Sequence, residues 1–245
     1  MRSDHRLDDA ALLGLWERSV GEGAATRDEA LLQALAPDAA APRTLGERNA
    51  LLLALHAQCF GSHMTLLSHC PACGEGSEFE IDSAALAAEL PLAAEVGPAH
   101  RLDCQGHVVD FRLPGAADIA AASGALDAEA FVQALLRRCV LASTHEGRAV
   151  AAQQLPLPVL EALSRQMEML DPAASVSFAL DCPACAAHWD APLDVGQTLW
   201  HKLQAAAERV LLDVDALARC YGWTESEVLR LSPTRRAAYL QLAAA

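Results

Sequence analysis

Two copies of one tetrapeptide, Cys70-Pro71-Ala72-Cys73 and Cys182-Pro183-Ala184-Cys185, constrain this chain more than any other feature. A C-x-x-C turn points its two thiolates the same way, and two such knuckles supply the four sulfurs of a tetrahedral zinc site. Cys70, Cys73, Cys182 and Cys185 are therefore expected to hold one structural Zn2+. More than a hundred residues part Cys73 from Cys182, far beyond the span of a simple zinc ribbon. The intervening chain must fold as an insertion between the knuckles.

The surroundings repeat too, as HCPACGEGSEFEID and DCPACAAHWDAPLD. A short polar turn follows each knuckle, and then a segment of strand formers, Phe79 to Ile81 and Trp189 to Leu193. This pattern suggests a weak internal duplication. Two other chemistries remain open for such pairs. A redox dithiol needs its first cysteine at a helix N-terminus, where the dipole lowers the thiol pKa, and Gly74-Glu75-Gly76 is a poor helix start. Disulfides or free thiols are the third reading. Four thiolates leave no open position for water or substrate, so the zinc is expected to be structural rather than catalytic. His69 and His188 adjoin the knuckles; a supporting or exposed place suits them better than ligation.

Of the residues, 53% are hydrophobic and only 4% aromatic, with Ala and Leu dominant. These favour helix over strand. The expected fold is α-rich α+β: a helical body with a small zinc-stapled β insert built from the two knuckles. Residues 1–62 read as an N-terminal helical segment, 63–196 as the zinc-knuckle β region with helices inserted at about 116–172, and 197–245 as a C-terminal helical segment.

Along the chain, helices are expected over residues 8–20, from a Thr26 N-cap to Pro37, and over 44–60. Strands follow at 64–67 and 79–81, and a short helix and loop at 82–98. A hairpin turns at Gln105-Gly106. Helices then start at Asp118, run from Asp127 to about Ala142, and follow Pro156 and Pro158 as far as Asp171-Pro172. A strand over 175–180 enters the second knuckle. The rest is helical: 199–219 with a stripe of Leu199, Leu203, Ala206, Val210, Val214 and Leu217, then a helix capped by Thr224 and Glu227, then one from Ser232-Pro233.

A formal charge of −14 repels phosphate backbones and anionic lipid heads, which counts against nucleic-acid and membrane partners. Asp4, Asp8 and Asp9 do not suit a signal peptide, and no run of 18 apolar residues occurs. A cytoplasmic location is expected, where thiols stay reduced and the paired cysteines favour metal over disulfide. Cys59, Cys104, Cys139 and Cys220 read as small buried hydrophobes. No phosphate-binding loop, dinucleotide fingerprint, nucleophile elbow or H-E-x-x-H is present, so no enzyme activity is expected.

The C-terminal run WHKLQAAAERVLLDVDALARCYGWTESEVLRLSPTRRAAYLQL resembles the signature of baseplate hub and hub-assembly proteins of contractile-tailed phages and related contractile injection systems. A helix ending in hxLAxxYGW precedes Ser or Thr, a short helix and RRxxYL. Trp200, Leu217, Ala218, Tyr221, Gly222, Trp223, Thr224, Leu229, Arg235, Arg236, Tyr239 and Leu240 carry the match. HCPACGExxEFxID, FRLPxxxDIxAA from Phe111 and the second DCPAC are similar to the injection-system relatives. The resemblance covers about residue 45 to the end, and the first 40 residues carry none of it.

It implies a non-enzymatic role in building the baseplate, as an assembly chaperone or minor component, with other tail, baseplate or injection-particle proteins as partners. Trp200, Tyr221, Trp223, Arg235, Arg236 and Tyr239 are residue types that anchor interfaces, although such aromatics also lock helices onto a body. The alternative is a zinc-ribbon nucleic-acid-binding or regulatory module, which wants a basic face near the knuckles. Here Glu75, Glu78, Glu80, Asp82, Asp181, Asp190 and Asp194 give the opposite sign. A thiol oxidoreductase is the third reading.

Overall fold

Capping and turn residues divide the chain into ten α-helices and eight strands among the residues described by the computed structural model, 8–37, 44–93, 97 and 99–243. Helix outweighs strand, and the strands form three small sheets. Helix α1 (Asp9–Ser19) starts where the Asp8 carboxylate accepts the Ala11 N–H at 2.7 Å. Helix α2 spans Ala24–Leu35, and α3 (Leu45–Phe60) is capped by Thr44 and stopped by Gly61 at φ +90°. The expected Thr26 cap is not used. Residue Gly23 occupies the N-cap of α2 without a side-chain bond, and the helix begins three residues earlier than expected.

Strands β1 (His63–His69) and β2 (Gly76–Asp82) form the first hairpin, which runs straight into α4 (Ser83–Glu89). Pro98, at the end of the loop expected after that helix, lies outside the described residues. Strands β3 (His100–Cys104) and β4 (His107–Phe111) turn at Gln105-Gly106, both at positive φ, as the hairpin signal requires. Next come α5 (Ala116–Ala122), α6 (Ala128–Cys139), β5 (Val140–His145) and β6 (Arg148–Ala149). Asp118 lies inside α5 rather than at its start, and its carboxylate accepts the Gly115 N–H at 3.0 Å.

Helix α6 stops at Cys139, short of the expected Ala142. The β-branched Val140 is extended and opposes Phe111, so tertiary pairing with β4 takes the segment from the helix. Helix α7 (Leu157–Leu170) leads through a short 3-10 turn to the second hairpin, β7 (Ser177–Asp181) and β8 (His188–Pro192). The chain ends in α8 (Val195–Tyr221), α9 (Glu225–Leu229) and α10 (Pro233–Ala243). Helix α8 starts at an Asp194 cap, ahead of the expected Leu199, and closes on Gly222 at φ +69°. On its buried stripe Ala207 takes the place expected for Ala206.

Two cores result. The first joins both ends of the chain: Leu12 and Leu15 of α1, Leu31 of α2 and Leu52 and Leu53 of α3 pack with Leu199 and Leu203 of α8. The second belongs to the middle of the chain, where Val109 and Phe111 of β4 meet Leu136 of α6 and Val159, Leu160 and Leu163 of α7. Buried Asp171, at the end of α7, ties them by accepting the Gly46 N–H at 3.0 Å, and Asn49 donates to the Ala173 carbonyl at 2.9 Å. A Cβ on Gly46 would collide with the Asp171 carboxylate, so only glycine permits this approach. Among the described residues no helix is long and apolar enough to cross a membrane.

Candidate metal centre

Each hairpin carries its knuckle at the tip. In the first, the Cys70 N–H donates to the Glu75 carbonyl and the Gly74 N–H to the Cys70 carbonyl, both at 2.8 Å. In the second, Cys182 donates to Ala187 and Ala186 to Cys182, both at 2.9 Å. The hairpins face each other through their inner side chains. Phe79 and Phe178 lie 5.4 Å apart, and the Trp189 indole donates to Ser68 Oγ at 3.2 Å. Asp82 and Asp194, at matching places after the knuckles, cap α4 and α8 alike. The duplication suggested by the sequence thus extends from strand through knuckle and strand to a capped helix.

This facing arrangement brings the four sulfurs within 4.8 Å of one another. Cys70 Sγ lies 3.7 Å from Cys185 Sγ, and Cys73 Sγ lies 3.5 Å from Cys182 Sγ. A disulfide requires about 2.05 Å, whereas a tetrahedron of thiolates at about 2.3 Å from an ion has edges of about 3.8 Å. The spacing fits four ligands around one ion. Cys70 and Cys182 are buried and Cys73 and Cys185 exposed, so the site sits at the hairpin tips with one side toward water.

The turns also aim backbone donors at the sulfurs. N–H groups of Cys185 and Ala184, with sulfur neighbours, lower the Cys182 thiol to about 7. The Glu75 N–H acts likewise on Cys73, but sharing with the Cys182 and Cys185 sulfurs pushes that thiol up to about 12. A bound cation would favour the thiolate form of the cysteines. Among the described residues no histidine, aspartate or glutamate joins the cysteine cluster. His69 and His188 are exposed, and His188 pairs with Asp181.

The other thiols differ from one another. Burial pushes Cys139 up to about 11 and raises Cys59. Cys104 is half-buried, and Cys220 is exposed rather than the buried residue expected from its neighbours.

The residues expected to meet a partner divide sharply. Trp200 is only 4% exposed and belongs to the first core, with the Arg27 guanidinium 5.1 Å above its ring. Arg236 is 7% exposed and pairs with Asp9 at 2.6 Å and Asp213 at 3.2 Å. Both are structural, because the helix faces carrying them turn inward. Tyr221, Trp223 and Tyr239 form one cluster: Trp223 stacks on Tyr221 at 4.9 Å, and Tyr239 meets Trp223 edge-on at 4.8 Å. Tyr221 and Arg235 are exposed, while Trp223 and Tyr239 are half-buried. No protein-family profile, curated protein or solved structure matches this chain.

Proposed function

We propose that the protein is a non-enzymatic assembly factor of a contractile phage tail or extracellular contractile injection system, acting in the cytoplasm as a baseplate or hub assembly chaperone or minor baseplate component. The observation that carries this reading is the Tyr221, Trp223 and Tyr239 cluster. Three residues of the C-terminal signature pack on one another at the surface, Arg235 is exposed one turn before Tyr239 on α10, and such aromatic and arginine groups anchor protein interfaces.

The metal in this reading is zinc, held by Cys70, Cys73, Cys182 and Cys185. Four thiolates suit zinc, and a closed set of ligands makes it a staple rather than a reaction centre. Exposed Glu78, Glu80, Asp181 and Asp190 lie on the two hairpins that carry the knuckles, which disfavours a nucleic-acid-binding ribbon.

Affinity purification from cells expressing the whole gene neighbourhood tests the function. Recovery of tube, spike or baseplate proteins is the expected result, and recovery of nucleic acid in their place would overturn it. Elemental analysis of the purified protein tests the metal, with about one zinc per chain expected.

A further inference from the structure

A cleft of about 880 Å3 opens where the two cores meet, between α2 and α5. Its size lies within the range of small-ligand sites. Three arginines converge on it from separate elements: Arg48 of α3, Arg112 just after β4, and Arg138 of α6. In a chain with a formal charge of −14 this convergence is distinctive.

Two buried carboxylates fix the guanidinium groups. Asp118 accepts a bidentate pair from Arg112 at 2.6 and 2.8 Å and lies 3.6 Å from Arg138 Nε, while Asp28 pairs with Arg48. Neither terminal nitrogen of Arg138 has a partner among the described residues, and this side chain is 48% exposed. Asp28, Glu29 and Asp118 balance the three arginines of the lining overall, and the terminal nitrogens of Arg138 are left as the donors that no described carboxylate meets. Glu29 lines the cleft as well, exposed and accepting a hydrogen bond from Gln33. Most of the remaining wall is apolar, with Leu32, Leu51 and Ala120 in it, and Thr26 and Gln33 add polar groups.

We propose that this cleft binds an aliphatic carboxylate, with the charged head on Arg138 beside Arg48 and Arg112 and the apolar chain along Leu32, Leu51 and Ala120. The shared chemistry belongs equally to a short fatty acid and to the free C-terminus of a partner chain ending in an aliphatic residue. The planar guanidinium fork matches a carboxylate in either. The cleft lies on elements apart from the cysteine cluster, so the inference stands independently of the metal.

The test titrates the full-length protein, as purified, with hexanoate and with alanyl-leucine bearing a free or an amidated C-terminus, followed by amide NMR. Saturable shifts at Ala117 and Arg138 are expected with a free acid. Tighter binding of hexanoate assigns the site to a small acid, and tighter binding of the free dipeptide assigns it to a chain terminus. Arg138→Gln should weaken binding by about tenfold. Ala120→Trp, which fills the cleft without altering charge, should abolish it. Absence of saturable shifts, equal affinity for the amidated dipeptide, unchanged affinity in Ala120→Trp, or equally tight binding of inorganic phosphate would each overturn the proposal.

Discussion

Gly74 and Ala186 occupy the same place in the two knuckles. Each is the fourth residue after its first cysteine, each donates its N–H to that cysteine's carbonyl, and each has positive φ, +78° and +58°. Glycine adopts this conformation freely, whereas alanine is strained there by its Cβ. Ala186→Gly should therefore stabilise the protein by about 0.5–1 kcal/mol, and Gly74→Ala should destabilise it by a similar amount. Nothing lies within 4 Å of a Cβ placed on Gly74, so the cost is backbone alone. Denaturant midpoints at one fixed free-zinc concentration would check both.

Cys182→Ser should release the metal and leave the hairpins unlinked. Site formation is coupled to folding, so the loss should exceed about 4 kcal/mol and lower the soluble yield. Metal content and thermal unfolding of the variant give the answer; a variant retaining stoichiometric zinc would contradict the four-sulfur assignment.

Asp118 governs an acid limb of stability. Its carboxyl is held below the ordinary value, first by the Arg112 guanidinium, then by the Gly115 N–H, against the opposing effect of burial. A depressed native pKa favours the ionised group in the folded state. The gain is complete above about pH 4, the unfolded value, and is lost as pH falls through the native one. Asp118→Asn should cost about 2 kcal/mol at neutral pH and converge on the parent protein in acid. Urea unfolding across the acid range would show whether the two curves merge.

Arg236 and Arg235 should separate stability from recognition. Arg236→Ala leaves Asp9 and Asp213 without their shared cation and should cost about 3 kcal/mol. Arg235 is exposed, and its replacement by Ala should change stability by no more than about 0.5 kcal/mol. Differential scanning calorimetry of the two variants side by side decides this.

Tyr221→Ala should do the reverse of Arg236→Ala. Its ring is 39% exposed and stacked on Trp223, so truncation should cost about 1 kcal/mol of stability. Under the proposed function, recovery of a tail or baseplate protein by this variant should fall at least about tenfold relative to the parent. Undiminished capture would remove the aromatic cluster from the proposed interface.

Local chemistry made much of this legible. The knuckles, the Gln105-Gly106 turn and the Thr224 cap are all decided within a few residues, and all occur as read. Long-range contacts hid the rest. Val140 to Ala142 continues the helical pattern of α6 and turns to strand only because β4 is there to pair with it. Trp200 and Arg236 look like interface residues until Arg27, Asp9 and Asp213 are brought beside them. Arg48, Arg112 and Arg138 carry no shared spacing, and His107 and His145, whose Nδ1 atoms lie 3.1 Å apart, come from different strands. Chain-distant meetings of this kind leave no periodic trace.

The two knuckle hairpins are ribbons of only two strands, so each has backbone edges without a neighbouring strand. Such edges invite other chains to zip onto them. The exposed acids Glu78, Glu80, Asp181 and Asp190 then acquire a colloidal role: they keep copies of the protein from stacking ribbon to ribbon. Strong salt or neutralising substitutions at Glu78 and Glu80 would expose a latent tendency to aggregate through these ribbon edges.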